Sequence, residues 1–152
     1  MSIVVRRAAP SDAAAIAAPL FELVVEFATS FAPERGPFEA SLALILGDET
    51  AWLGVAEAGA GEAGAGGKPL AGYCLGFDHA AFYANGRVAW VEEIMVREDA
   101  RRLGVGAALM SSFEAWAAAR GDRLVALATR RAAPFYTTLG YEDSATYFRK
   151  LL

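Results

Sequence analysis

Apolar residues recur along this chain with two periods, every second position and every third or fourth, and the change of period marks its elements. Ile3-Val4-Val5-Arg6-Arg7 is short and β-branched and predicts a first strand. Pro10-Ser11-Asp12 supplies helix-start chemistry ahead of Ile16, Leu20, Leu23 and Phe27, which share one helical stripe. Pro19 lies inside that helix and removes a donor, which predicts a kink. Ala28 to Pro37 is too rich in breakers to continue the helix, and a second one is expected from Phe38 to Leu46, ended by Gly47.

Ala51 to Glu57 and Pro69 to Phe77 read as two strands joined across a glycine/alanine tract, Ala58 to Lys68, expected as a long hairpin loop. The Asn85-Gly86 turn signal opens a further strand, Arg87 to Val96. A basic turn follows, Arg97 to Gly106, and then a helix from Ala107 to Ala119 with Leu109, Phe113 and Trp116 on one core-facing stripe. Leu124 to Ala128 is a short buried strand, and Arg131 to Leu139 a last helix with Pro134 in its first turn. Ser144 to Leu152 alternates exposed and apolar positions and predicts a closing strand. The order β-α-α-β-β-β-α-β-α-β describes a mixed α/β sheet with helices on both faces. Strand, helix and strand around Ala107 to Arg120 require a right-handed crossover and hence a parallel pair.

At 152 residues and 55% hydrophobic content the chain suits one domain, residues 1–152, with a substantial core. The balance of 14 Lys+Arg against 18 Asp+Glu gives a net charge of -4, which argues against general nucleic-acid binding. Cys74 is the single cysteine, so disulfides and cysteine-based metal sites are not expected, and a reducing cytoplasm fits. The first residues lack a charged leader followed by an apolar region, and nothing offers the ~20 apolar residues of a membrane span. Neither export nor insertion is expected.

The chemistry concentrates in Trp90 to Gly106, where a strand carrying Glu92 and Glu93 runs into the basic glycine turn and a helix start. Free N–H groups and the helix dipole suit phosphate at such a place, and Arg97, Arg101 and Arg102 add charge. A nucleotide P-loop would need a Lys-Ser/Thr pair that the turn lacks. A dinucleotide fingerprint would need a third glycine where Leu109 stands. What remains is Arg101-x-x-Gly104-x-Gly106, with the arginine as part of the pattern.

Val96 to Leu109 (VREDARRLGVGAAL) resembles the acetyl-CoA loop of the GNAT family of N-acetyltransferases, whose motif is Gln/Arg-x-x-Gly-x-Gly/Ala. The element order is also similar, and Ala132 to Tyr141 (AAPFYTTLGY) matches the family's Ala-x-x-Phe-Tyr-x-x-x-Gly-Phe/Tyr segment, so the resemblance covers nearly the whole chain. It implies the GNAT acyl-CoA N-acyltransferase fold: a central, mostly antiparallel sheet, splayed between Arg87–Val96 and Leu124–Ala128 to admit the pantetheine arm. Main-chain groups of Ile94 and Val96 would pair with that arm. Amides from Arg102 through Leu103, Gly104, Val105 and Gly106 to Ala107 would wrap the pyrophosphate, with Arg101 beside them. An N–H near Ile94 or Met95 would polarise the thioester carbonyl. Thr129 stands where the family often has an asparagine on the cofactor arm, and Arg130 and Arg131 either reach the phosphates or cap a solvated helix start.

Acyl transfer to an amine needs a base on one side of the carbonyl and a weak acid on the other, because an alkylammonium of pKa ~10 must lose a proton while a thiolate of pKa ~8.5 gains one. Strand alternation sends Glu92 and Glu93 to opposite faces, so one of them enters the cleft. By resemblance to small-molecule amine acetyltransferases with an acidic pair here, Glu92 is the expected base, and Glu93 an amine anchor or a surface charge. The plainer reading of Glu92 is a solvated residue, or one salt-bridged to Arg87. Tyr136 matches the family tyrosine that protonates the leaving sulfur, its plainer reading being a core contact beside Phe135. The implied activity is acetyl transfer from acetyl-CoA to a primary amine of a small molecule, without a metal, in the cytoplasm. A protein N-terminal or lysine acetyltransferase and a non-catalytic acyl-CoA sensor are the alternatives. The acceptor pocket is expected along Phe27 to Phe38 and Phe77 to Tyr83; Glu26, Glu34 and Asp78 would favour a cationic acceptor there, the plainer reading of each being an ordinary surface acid. The apolar C-terminal strand makes a homodimer a reasonable expectation, and His79 is a surface or packing residue.

Overall fold

The structure is a computed structural model, and it describes residues 2–58 and 69–152. Five strands form one sheet in chain order: β1 (Ile3–Arg7), β2 (Ala51–Ala58), β3 (Leu70–Ala81), β4 (Gly86–Val96) and β5 (Val125–Leu127). The first three pairings are antiparallel and β4–β5 is parallel, as the strand-helix-strand order requires. The expected hairpin loop of glycine and alanine lies, at 59–68, outside the described residues.

Helices α1 (Ala13–Phe27) and α2 (Arg35–Leu46) cover one face, and α3 (Val105–Ala119) and α4 (Ala133–Thr138) the other. On the first face Ile16, Leu20 and Leu23 of α1 and Leu42 of α2 pack on Leu53, Val55, Tyr73 and Leu75. On the second, Val105, Leu109, Met110 and Phe113 of α3 pack on Trp52, Cys74, Ala89 and Val91, with Tyr136 joining from α4. Burying these side chains is the main stabilising contribution, at roughly 25 cal/mol per Å². α1 is assigned without a break through Pro19, and α2 begins at Arg35, three residues before the expected start, with Glu34 as its N-cap residue. Asp12 ends a short 3₁₀ turn (Pro10–Asp12) before α1, and its carboxylate accepts from the Ala9 N–H and from Arg6.

Two features shape the middle of the sheet. Residues Ala89, Trp90 and Val91 pair with Val125, Ala126 and Leu127, and there the parallel ladder stops, while β4 runs on to Val96. The two strands therefore part company after Val91. At the same point the β3–β4 register slips: Gly76 faces Val91 and Leu75 faces Glu93, so Glu92 is the extra residue of a β-bulge.

The closing strand does not form. Residues 141–152 carry no strand pairing, and Tyr147, Phe148, Leu151 and Leu152 are exposed. The alternating pattern is present, but a strand needs a neighbour for its N–H and C=O groups. Among the described residues no strand pairs with this segment, and its one side-chain hydrogen bond is from Arg149 to Ser30 Oγ, at 2.9 Å.

Candidate active site

The bulge decides which acid is buried. Ala89 and Val91 face the α3 side, and so do Ile94 and Val96, an interval of three between Val91 and Ile94 where strict alternation would give two. The extra residue turns Glu93 onto the α1/α2 side with Met95 and leaves Glu92 exposed. Glu93 Oε1 accepts a 2.9 Å hydrogen bond from the Tyr73 hydroxyl across the β3–β4 ladder. Burial pushes the Glu93 carboxyl above its usual range; the tyrosine hydrogen bond works against this and the charge of Glu92 adds to it. A raised carboxylate in a cavity is a candidate base.

That cavity has a volume of about 250 Å³ and lies between α1, α2 and the sheet. Leu20, Val24, Phe38 and Leu42 come from the helices, and Leu53 and Leu75 from the strands, with Tyr73 and Glu93 on the same wall. Pro33, Glu34 and Pro37 also line it, within the expected Phe27–Phe38 stretch. The Phe77–Tyr83 region does not: Phe82 and Tyr83 are exposed, and Asp78 is buried in an ion cluster with Arg87 and Arg120. Arg87 thus pairs with Asp78, not with Glu92. Glu26 binds Arg101 at 3.2 Å, and His79 is exposed. Tyr73 went unnoticed in the sequence. The available signal was a tyrosine in an apolar strand, whose hydroxyl needs a partner when buried.

The gap between β4 and β5 presents main-chain groups. Arg97 N–H bonds to Ala71 O on β3, whereas Val96 O accepts from Arg101 Nε at 3.2 Å on the opposite side. Alternation along the strand then points the N–H and C=O of Ile94 and Val96 into the gap and those of Met95 toward β3. Both residues expected to pair with a pantetheine arm therefore have the orientation for it.

Beyond Val96 the chain makes a 3₁₀ turn (Glu98–Ala100) and a tight loop, with Arg102 at φ 63° and Gly104 at φ 82°. The Gly104 conformation is one that a side chain disfavours. The first helical bond of α3 runs from Ala108 N–H to Gly104 O, leaving the amides of Val105, Gly106 and Ala107 without intrahelical acceptors. A Cβ on Gly106 would stand 3.1 Å from the Phe135 ring, so this glycine also lets α4 close on α3. Arg101, Arg102 and Leu103 are exposed around the free amides, an arrangement suited to an anion.

Tyr136 is 7% exposed, next to Phe135 and Tyr141 with ring centroids 5.0 and 5.9 Å away. Burial pushes its phenol up to about 12, so it holds its proton at neutral pH. It sits with the α3/α4 cluster, while Glu93 lies on the other face of β4. Thr129 Oγ1 accepts from Ala132 N–H at 3.1 Å and so stabilises the turn into α4; Arg130 and Arg131 are exposed.

Similar folds carry varied names. An acetyltransferase of Trypanosoma brucei is 21% identical, with a TM-score of 0.79 over 99% of this chain and 100% of that one. Glucosamine-6-phosphate N-acetyltransferase from Arabidopsis thaliana is 17% identical, with a TM-score of 0.80 over 99% of both chains. Ribosomal-protein-alanine N-acetyltransferase from Brucella melitensis biovar Abortus 2308 is 18% identical, with a TM-score of 0.67 over 99% of this chain and 98% of that one. At such identities the likeness is one of fold. No curated protein matches the chain. The model of the acetyltransferase (GNAT) family matches residues 18–141, and by that match, spanning the split sheet and the glycine loop, the chain belongs to this family.

Proposed function

We propose that the protein transfers the acetyl group of acetyl-CoA to the primary amine of a small molecule by direct attack, with Glu93 as general base and Tyr136 as general acid. The observation that carries this reading is a raised, half-buried carboxylate on one face of β4, just past the point where β5 leaves it, and a protonated phenol in the cluster that packs on the other face. The amine gives its proton to Glu93, directly or through a water, and its lone pair forms the C–N bond at the thioester carbon. The N–H of Ile94 faces the gap and is the donor suited to the oxyanion; Met95 N–H is turned to β3. As the C–S bond breaks, Tyr136 donates its proton to sulfur, and the remaining extra proton on nitrogen, released as the amide forms, restores the phenol through solvent. The amides of Val105 to Ala107 hold the pyrophosphate, with Arg101 and Arg102 beside them, and the exposed Thr129 and Arg131 are assigned as further contacts to coenzyme A.

Glu92, the base expected from sequence, is exposed at the bulge and is left with no part in proton transfer. A soluble cytoplasmic setting suits the buried, unpaired Cys74; no helix among the described residues is long and apolar enough to cross a membrane. The exposed alternating segment 144–152, together with the outer edge of β5, unpaired among the described residues, supports a homodimer in which each chain's segment extends the other's sheet.

Thermal shift with acetyl-CoA, ATP and NAD tests the co-substrate. A rise in Tm with acetyl-CoA alone is expected, and no rise would sink the reading. Free-thiol release over a panel of amines then tests transfer, and a protein that binds acetyl-CoA yet releases no thiol with any amine is a sensor instead.

A further inference from the structure

Resting on the acetyl-transfer reading, we infer that the acceptor is a monoamine on a compact apolar body, an arylalkyl or branched alkyl amine. Leu20, Val24, Phe38, Leu42, Leu53 and Leu75 surround the cavity, with the half-buried Glu93 on its wall and the exposed Glu34 at its rim. The proton of the Tyr73 hydroxyl is already committed to Glu93, so that hydroxyl can accept from a ligand but has no donor left for it. Ser41 on α2 and Glu34 at the start of that helix are the remaining polar side chains of the lining, and both are solvent-exposed. One ammonium group therefore finds a half-buried partner in Glu93, whereas a second would meet a carboxylate only at the solvent-exposed rim, at Glu34, where water screens the pair.

The body of the ligand must match what is left. An aminosugar would bring several hydroxyls against leucine, valine and phenylalanine, where each loses water and gains no hydrogen bond. A peptide would bring backbone N–H and C=O groups to the same wall. An aryl or branched alkyl group instead exchanges water for apolar contact. A volume of about 250 Å³, roughly eight waters at ~30 Å³ each, suits a body the size of a single ring or a short branched chain. The two helices that form the walls also touch each other. Phe21 of α1 meets Phe38 of α2 with ring centroids 5.2 Å apart, and Arg35 stacks over Phe21 at 5.5 Å, which ties the two helices together.

The test compares kcat/KM, by thiol release, for 2-phenylethylamine, isoamylamine, glucosamine 6-phosphate, spermidine and a tetrapeptide with a free N-terminus. The two apolar amines are expected to exceed the other three by about 100-fold or more, since even one methylene in an apolar pocket is worth ~10–200-fold. Ser41→Phe, a change on an exposed helix position that projects into the cavity, is expected to raise KM for 2-phenylethylamine at least tenfold while the Tm rise with acetyl-CoA stays as in wild type. A polar amine or the tetrapeptide used as well as 2-phenylethylamine overturns the inference, and so does an unchanged KM in Ser41→Phe. No turnover of either apolar amine, with acetyl-CoA still raising Tm, also overturns it and leaves the co-substrate assignment standing. Absence of any acetyl-CoA shift removes the underlying reading instead.

Discussion

The Tyr73 hydroxyl donates a 2.9 Å hydrogen bond to Glu93 across the β3–β4 ladder, and this one bond joins the proposed base to the wall of the apolar cavity. It favours the charged form of a carboxyl that burial drives the other way. A base acts only when ionised, so kcat/KM should rise with pH through a Glu93 ionisation lying above the ordinary glutamate value of ~4.3. Tyr73→Phe removes the hydrogen bond that lowers this pKa. Its acid limb should move to higher pH, as a full pH–rate profile of both proteins would reveal; a limb moving to lower pH contradicts the assignment.

The two acids separate cleanly by substitution. Glu93→Gln should lower kcat/KM by about 10²–10⁴-fold, the usual worth of a general base, with acetyl-CoA affinity unchanged. Glu92→Gln should stay within about twofold of wild type, because an exposed carboxylate at the bulge exchanges one solvated group for another. Steady-state kinetics on both variants decides, and the reverse ranking returns the role to Glu92.

Tyr136→Phe keeps the ring contacts with Phe135 and Tyr141 and removes only the proton donor. We expect kcat to fall about 100-fold with little change in Tm. The remaining rate should rise when the acyl donor is a thioester of a more acidic thiol, since a better leaving group depends less on protonation. Equal sensitivity to the leaving group in wild type and variant would assign Tyr136 to packing alone.

Asp78 is a structural acid. Its side chain is fully buried, and although burial opposes its ionisation, hydrogen bonds from Arg120 and Arg87 outweigh that and hold it at about 2. A depressed carboxyl contributes stability above its unfolded pKa of ~3.9, and that contribution is lost as pH falls from about 4 toward 2. Asp78→Asn leaves two guanidinium groups without their counter-charge and should cost about 2–3 kcal/mol, less than a sealed pair because both arginines reach solvent. Urea unfolding at neutral pH and at pH ~3 should show this loss shrinking in acid.

The glycine loop separates conformation from packing. Gly104→Ala meets no atom within 4 Å but must hold φ 82°, which costs of the order of 1 kcal/mol or more. Gly106→Val pushes against the Phe135 ring, the neighbour of Tyr136. Both should weaken acetyl-CoA in calorimetry, and only Gly106→Val should also lower kcat.

Local chemistry determined a large part of this protein. The two periods marked every α-helix and all the strands of the sheet, and the conformation of the glycine loop was legible in its own residues, because positive φ and free helix amides are properties of a short segment. Three matters waited for the tertiary structure. Whether Glu92 or Glu93 is buried depends on a bulge, a register slip against β3 that the alternation within β4 does not record. The Tyr73–Glu93 bond and the cavity are products of tertiary pairing, between residues 20 apart on neighbouring strands and between two helices and a sheet. Segment 144–152 has the pattern of a strand, yet pattern specifies only which face is apolar. Pairing is a relation between two backbones, and only the arrangement of the whole sheet decides whether a second one is at hand.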